Sequence, residues 1–451
     1  MRASALRLTV LGCLAFSASA CSWSRFDNVT ENSPVVLLHQ PGAMKSGFGV
    51  TLTTVTNGDQ TGLLVGGTVT ASGAALYDIG QAESPGTTAI DTGFCSGGGK
   101  PCFLSSSPAG FANANGPDQQ PRPLCFAVGT GAVSTGKQGL VMQCKDGTEY
   151  VLEMPVAAQE LLATSITKNQ PFDHPLAADR AADPLLLASQ PELHLAWFYP
   201  AKSISRSELL WPDALQVDDQ SFGRSLAVLA VDGGRVLALG VPGKSAVLLW
   251  KTDNSDKSSY IGCLGGMNGM GRALAAGKVN ADGSDDLVVS DDTQVHAIDG
   301  AGLFQLPETT SSACSFSFLS AGARLGSFGC GSTSNVSGCE QSEFGSALAV
   351  GDLDGDGDGE VIVGAPKMTV RDRENAGALL IYEADVATDT ALADARFLSS
   401  AESGDLLGRT IVTPHLGKRD IIAAGAPGHG KAALFYCSAL LPAGEAGSRC
   451  P

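Results

Sequence analysis

Apolar residues along this chain come in short runs set between glycines and polar turns, and long stretches with helical three-and-four spacing are hard to find. Runs such as SAVLLW, GALLIYEA and KAALFYC read as short strands. An all-β protein is therefore expected. Each such run follows another apolar run that ends in a small residue, as in LLVGG, VLALGVP, LVVSDD, VIVGAP and IIAAGAP. Further upstream stands a large apolar residue plus glycine: Phe48-Gly49, Phe222-Gly223, Met270-Gly271, Phe344-Gly345 and Leu407-Gly408.

The pattern is a repeat, and recognising the period decides the architecture. Two degenerate copies fill the gap between Phe48 and Phe222, AVGTGAVSTGKQGLVMQC from Ala127 and LAADRAADPLLLASQP from Leu176. Seven copies spaced by roughly 60 residues result. Each supplies a short first strand, the apolar second strand and a third strand (AALYDIG, TEYVLEMP, ELHLAWFYP and the three runs above among them). Most add a fourth, for example SYIGCLGG. Four-stranded units that cannot bury both faces alone must stack around an axis, which predicts a seven-bladed β-propeller of antiparallel blades. The last copy lacks its fourth strand, while PVVLLHQP near the start of the chain has no first-strand partner. The N-terminal strand is expected to complete the last blade.

Phe-Gly at the head of the unit, Gly-Ala-Pro at its tail and an aspartate-rich loop between them resemble the FG-GAP repeat of the integrin alpha-subunit N-terminal propeller and its bacterial relatives. The copy from Phe344 to Pro366 matches in full and the others in part. The resemblance spans about residues 34–438 and implies seven blades, with calcium on the loop between the first and second strands of some of them.

The loop of that best copy, DLDGDGDGE, carries five carboxylates in nine residues: Asp352, Asp354, Asp356, Asp358 and Glu360. Alternate spacing lets a curled loop aim its side chains, and backbone near Asp358, at one centre. Hard oxygen donors at this density suit calcium. An EF-hand fails at the twelfth position, which is Val363, and the chain runs on into a strand. The copy from Met270 keeps the spacing as Asn280, Asp282, Ser284 and Asp286, but Lys278 takes the first position. That loop is read either as a second calcium site or as an ion-free loop in which the Lys278 ammonium sits among Asp282 and Asp286.

Charge and cysteines narrow the setting. A net charge of -17 with only 29 Lys and Arg disfavours nucleic acid. Residues 1–20 read as a signal peptide, with Arg2 and Arg7, an apolar Leu8–Phe16 core and Ala18-Ser19-Ala20 before Cys21. Small residues running into Cys21 resemble a bacterial lipobox. The resemblance implies a lipid on Cys21, a tether over 21–33 and an outer-membrane lipoprotein of the cell envelope, with plain secretion as the other reading. Of 12 cysteines, Cys13 leaves with the signal peptide and Cys21 carries lipid, so ten remain for an oxidising compartment. Short separations favour Cys95–Cys102, Cys125–Cys144, Cys330–Cys339 and Cys437–Cys450, leaving Cys263–Cys314; a tail, 439–451, follows the propeller.

No His-Glu-x-x-His, Gly-x-Ser-x-Gly or phosphate-loop motif is present, so no enzyme is expected. The aromatics Trp197–Tyr199 read as a contact patch or as a third strand with a buried face. The expectation is a monomeric, calcium-stabilised binding or adhesion module for a protein or glycan, with an envelope scaffold and a propeller hydrolase as the other classes.

Overall fold

The computed structural model describes residues 35–39, 48–57, 60–67, 74–79, 91–94, 109–115, 121–130, 139–145, 148–167, 175–181, 184–200, 206–210, 221–253, 257–315, 324–333, 335–383, 394–417 and 419–436. Cys21 with its leader and tether, the pairs Cys95–Cys102 and Cys437–Cys450, and the tail lie outside them.

Seven four-stranded antiparallel sheets form the blades of a propeller. Blade 1 comprises Thr51–Asn57, Gln60–Gly66, Ala74–Asp78 and Asp91–Phe94. Blade 2 comprises Ala109–Asn115, Pro121–Thr130, Gly139–Cys144 and Glu149–Leu152. Blade 3 comprises Leu176–Ala178, Leu186–Gln190, Leu195–Tyr199 and Ser207–Glu208. Blade 4 comprises Leu226–Val231, Gly234–Val241, Ala246–Thr252 and Ser259–Gly265. Blade 5 comprises Leu274–Gly277, Asp286–Ser290, Gln294–Ile298 and Arg324–Gly329. Blade 6 comprises Leu348–Gly351, Glu360–Ala365, Ala378–Tyr382 and Asp394–Arg396. Blade 7 takes Ile411–Val412, Ile422–Ala426 and Lys431–Phe435 from the end of the chain and Val35–His39 from its beginning. The expected closure is present: Val35 pairs with Phe435 and His39 with Lys431 in one antiparallel register.

First strands of neighbouring blades touch all the way round, so they line the axis. The seven apolar clusters fall one to each blade interface. In blade 6, Val361 and Val363 point into the interface with blade 5 while Ile362 points into that with blade 7. A strand covered on both sides needs no polar alternation, which is why the sequence shows continuous apolar runs. Trp197 and Phe198 are fully buried between blades in the same way, and Trp197 Nε1 donates to Tyr199 Oη at 2.8 Å. These aromatics are core, not a surface patch.

The Phe-Gly and Gly-Ala-Pro ends of the repeat are joined physically. The N–H of Gly49, Gly223, Gly271, Gly345 and Gly408 donates to the carbonyl of Gly66, Gly240, Ser290, Gly364 and Gly425 at 3.1, 2.8, 3.0, 3.0 and 3.0 Å. All five donors hold positive φ, between 63° and 88°, which glycine alone adopts without strain. The large residue ahead of each glycine, such as Phe48 or Phe222, is buried. Hydroxyls then stitch one blade to the next: Ser189 donates to Gly223 carbonyl (2.6 Å), Ser225 to Gly271 carbonyl (2.6 Å) and Thr410 to Gly49 carbonyl (3.0 Å).

Blade 2 corrects the sequence reading. Its second strand is Pro121–Thr130, so GLVMQC, expected as the second strand, is the third, and the strand expected as third, Glu149–Leu152, is the fourth. Pro121 and Pro123 and the weakly apolar AGFANAN hid the first two strands. A helix, Val156–Thr167, also leads from blade 2 to blade 3. Three of the expected disulfides are formed. Cys125–Cys144 ties second to third strand in blade 2, Cys263–Cys314 ties blade 4 to the excursion inside blade 5, and Cys330–Cys339 closes the turn into blade 6.

Candidate metal centre

The acidic loop joins the first and second strands of blade 6, at the end of the first strand opposite the Phe-Gly turn. Its curl is written into the side chains. Asp352 Oδ1 accepts from Gly355 N (2.6 Å) and its Oδ2 from Gly357 N (3.2 Å); Asp354 Oδ1 accepts from Asp356 N (3.1 Å); Asp356 Oδ1 accepts from Asp358 N (3.0 Å). Asx turns of this kind wind the loop so that oxygens of Asp352, Asp354 and Asp356 lie within 4.8 Å of one another. The carboxylates of Asp358 and Glu360 stand outside that group. Glu360 is buried and its Oε2 accepts from Leu353 N at 2.7 Å, closing the base of the loop.

Burial, with this crowding, raises the affinity of Asp352, Asp354 and Glu360 for protons. Asp354 is pushed up to about 6, first by burial and then by the charge of Asp356. Asp352 is raised by burial against the opposing pull of the Gly355 and Gly357 N–H groups. Burial, with repulsion from Asp354, Asp356 and Asp352, lifts Glu360 well above the usual carboxylate range. A divalent cation is the counter-charge that would relieve this repulsion.

Neighbouring blades clamp the loop. Gly359 N donates to Lys278 carbonyl of blade 5 at 2.6 Å. On the other side Asp420 N donates to Asp352 carbonyl (2.7 Å), and Asp420 Oδ2 accepts from Asp352 N (3.2 Å). Asp420 also holds His415 Nδ1 (2.9 Å) and Arg180 Nη1 (3.2 Å), the latter reaching from blade 3. His415 carbonyl in turn accepts from Thr61 of blade 1 at 2.8 Å. Sequence reasoning missed Asp420, Arg180 and His415, because their roles arise only when distant repeats meet over the axis.

The loop from Asn280 to Asp286 in blade 5 has the same winding without the first acid. Asp282 N donates to Asn280 Oδ1 (3.0 Å) and Ser284 N to Asp282 Oδ1 (2.8 Å). Asp286 stands where Glu360 does, fully buried, and accepts from Val279 N (3.0 Å), Asn280 N (3.2 Å) and Gly300 N (3.0 Å). Burial pushes it up to about 7. Lys278 is exposed and forms no ion pair with Asp282 or Asp286, so the expected replacement of a metal by its ammonium is not seen. The chain points that side chain outward and uses backbone N–H groups to satisfy Asp286. Asp299, unremarked in the sequence, joins Asp282 and Asp286 within 4.8 Å. The winding therefore belongs to the Asx turns, and what sets the blade 6 loop apart is a carboxylate at its first position, Asp352, where blade 5 has Lys278.

Residues 344–382 match the FG-GAP repeat family model, and they are the head, acidic loop and first three strands of blade 6. This chain is a β-propeller that carries an FG-GAP repeat in blade 6. The crystal structure of virginiamycin B lyase from Staphylococcus aureus is similar at 10% sequence identity and a TM-score of 0.46, covering 89% of this chain and 99% of that one. No curated protein gives a match. The fold supports a propeller-type binding or scaffold module, and among the described residues it carries two acidic clusters, in blades 5 and 6.

Proposed function

We propose that this FG-GAP propeller is a non-catalytic binding and adhesion module for a protein or glycan, anchored in the bacterial cell envelope through lipid on Cys21 and stabilised by calcium in the blade 6 loop. The observation that carries the reading is the convergence of Asp352, Asp354 and Asp356 on a loop clamped by blades 5 and 7. The donors fit calcium: all are hard oxygens, already turned inward by Asx turns, and the raised proton affinity of Asp352 and Asp354 goes with a partly buried negative charge that has no counter-charge. Asp352, Asp354 and Asp356 would hold the ion, and Asp358 and Glu360 would support them from the loop's end. Bound calcium would supply charge neutralisation. The residues around it then fix three loops as one unit, because Asp420 and Lys278 transmit the position of Asp352 and Gly359 to their own blades.

Presentation of the lipidated protein to envelope extracts and a glycan array, with calcium and then with chelator, tests this reading. Saturable capture that chelation weakens is expected. Recovery only as a fixed-stoichiometry component of an envelope complex would assign it to the scaffold class instead. Loss of membrane association in Cys21→Ser checks the anchor.

A further inference from the structure

One repeat position carries arginine in three blades. Arg224, Arg272 and Arg409 each follow the glycine of the Phe-Gly turn and precede the first strand of blades 4, 5 and 7, while Ser346 holds that place in blade 6. First strands line the axis, and the acidic loops leave from their far ends. These positions therefore lie on the face opposite the candidate metal loops, where Arg272 and Arg409 meet at blade 6 and Arg224 holds the same place in blade 4. In a chain of net charge -17, a sector of this sign does not follow from composition.

The sector already holds a carboxylate. Glu343, just ahead of Phe344, receives Arg409 Nη1 on Oε2 at 3.1 Å and Lys367 Nζ on Oε1 at 2.6 Å. Arg272 Nη2 donates to the carbonyls of Glu343 (3.1 Å) and Phe344 (2.6 Å). Glu343 takes a left-handed φ of 54° there, uncommon for a residue with a side chain. Arg272 Nε and Ser346 Oγ, both shielded from solvent, have no hydrogen-bond partner. Arg409 and Lys367 remain about half exposed, at 51% and 48% of their side chains. Cations shared by one partly exposed acid can exchange it for another.

We propose that this arginine sector docks an acidic segment of a partner polypeptide, a glutamate or aspartate side chain taking the seat that Glu343 fills. It rests on the binding-module reading above and names the chemistry of the partner. A polypeptide is favoured over a polysaccharide because the seat is filled by a glutamate carboxylate carried on a flexible stem, one oxygen on Arg409 and the other on Lys367.

Fluorescein-labelled octaglutamate, followed by anisotropy on the full-length protein, tests the proposal. Saturable binding is expected. Arg409→Gln with Lys367→Gln should weaken it roughly tenfold or more, each change removing a charge-assisted bond. Glu343→Gln, which keeps every cation and removes the internal competitor, should tighten it about two- to fivefold. Lys145→Gln with Lys257→Gln loses the same charge beyond the third strands of blades 2 and 4, on the other face, and should change affinity by less than about twofold. Unchanged melting temperatures show that the variants are folded. Binding indifferent to both Arg409→Gln/Lys367→Gln and Glu343→Gln overturns the proposal. Displacement of octaglutamate by polygalacturonate at lower concentration, through the same residues, overturns the polypeptide assignment. Should octaglutamate not bind while calcium-dependent capture from extracts persists, this inference falls alone; loss of that capture as well removes the binding-module reading.

Discussion

The glycine that ends the repeat can be tested where the ring closes. A Cβ added at Gly425 would come within 1.9 Å of Gly49 carbonyl oxygen and 2.4 Å of Thr410 Oγ1, at the seam between blades 7 and 1. Neither neighbour can simply rotate away. Gly49 is fixed by its own N–H bond to Gly66 at 3.1 Å, and Thr410 Oγ1 donates to Gly49 carbonyl at 3.0 Å. Overpacking costs about 1–3 kcal/mol and the lost hydroxyl bond about 1, while the reduced freedom of the unfolded chain returns about 0.5–1, so Gly425→Ala should lose about 1–3.5 kcal/mol. Gly329 is the control, because a Cβ there meets nothing within 4 Å. Gly329→Ala should stay within about 0.5 kcal/mol of wild type. Urea unfolding of both variants, read from midpoint and slope, decides the matter. If Gly425→Ala unfolds at the same midpoint as Gly329→Ala, the close contact between blades is not why the motif ends in glycine.

Two further outcomes follow from buried polar groups. Asp286→Asn should lose about 2–4 kcal/mol in the same assay, since one amide oxygen cannot serve the three N–H donors of Val279, Asn280 and Gly300 and its NH2 would face them. The hydrogen bond from His415 to Asp420, opposed by partial burial, raises the His415 pKa above its ordinary 6.5. Its stabilisation is therefore fully present below 6.5 and lost as the pH rises through the higher folded-state value. Wild type should exceed His415→Gln in melting temperature by more at about pH 6 than at about pH 8.5; an equal gap would show that the charged pair contributes nothing.

The architecture was legible because the repeat's signals are local. A glycine that must take positive φ, a buried residue before it and a second strand ending in a small residue lie within about one repeat of each other, so five copies announce themselves. Closure by Val35–His39 followed from counting strands. Blade 2 escaped because no Phe-Gly marks it and prolines interrupt its second strand. The acidic loop could be found because its donors are consecutive, and its turns follow from Asp and Gly alone. Its supports could not. Asp420 lies 68 residues from Asp352, and Arg180 lies 240 residues from Asp420. Nothing local told that Lys278 would point to solvent, or that Asp299 would approach Asp282 and Asp286. An arginine follows the glycine in three copies, but only the fold shows that two of them, Arg272 and Arg409, meet at Glu343.

Calcium binding by the blade 6 loop is the claim on which the functional account turns, and thermal melting of metal-free protein titrated with calcium measures it most directly. A ligand at a hundred times its dissociation constant stabilises the folded state by about 2.7 kcal/mol, so wild type should melt higher with calcium while Asp352→Asn with Asp356→Asn should not respond. An equal rise in both proteins, or none in wild type, would contradict the account.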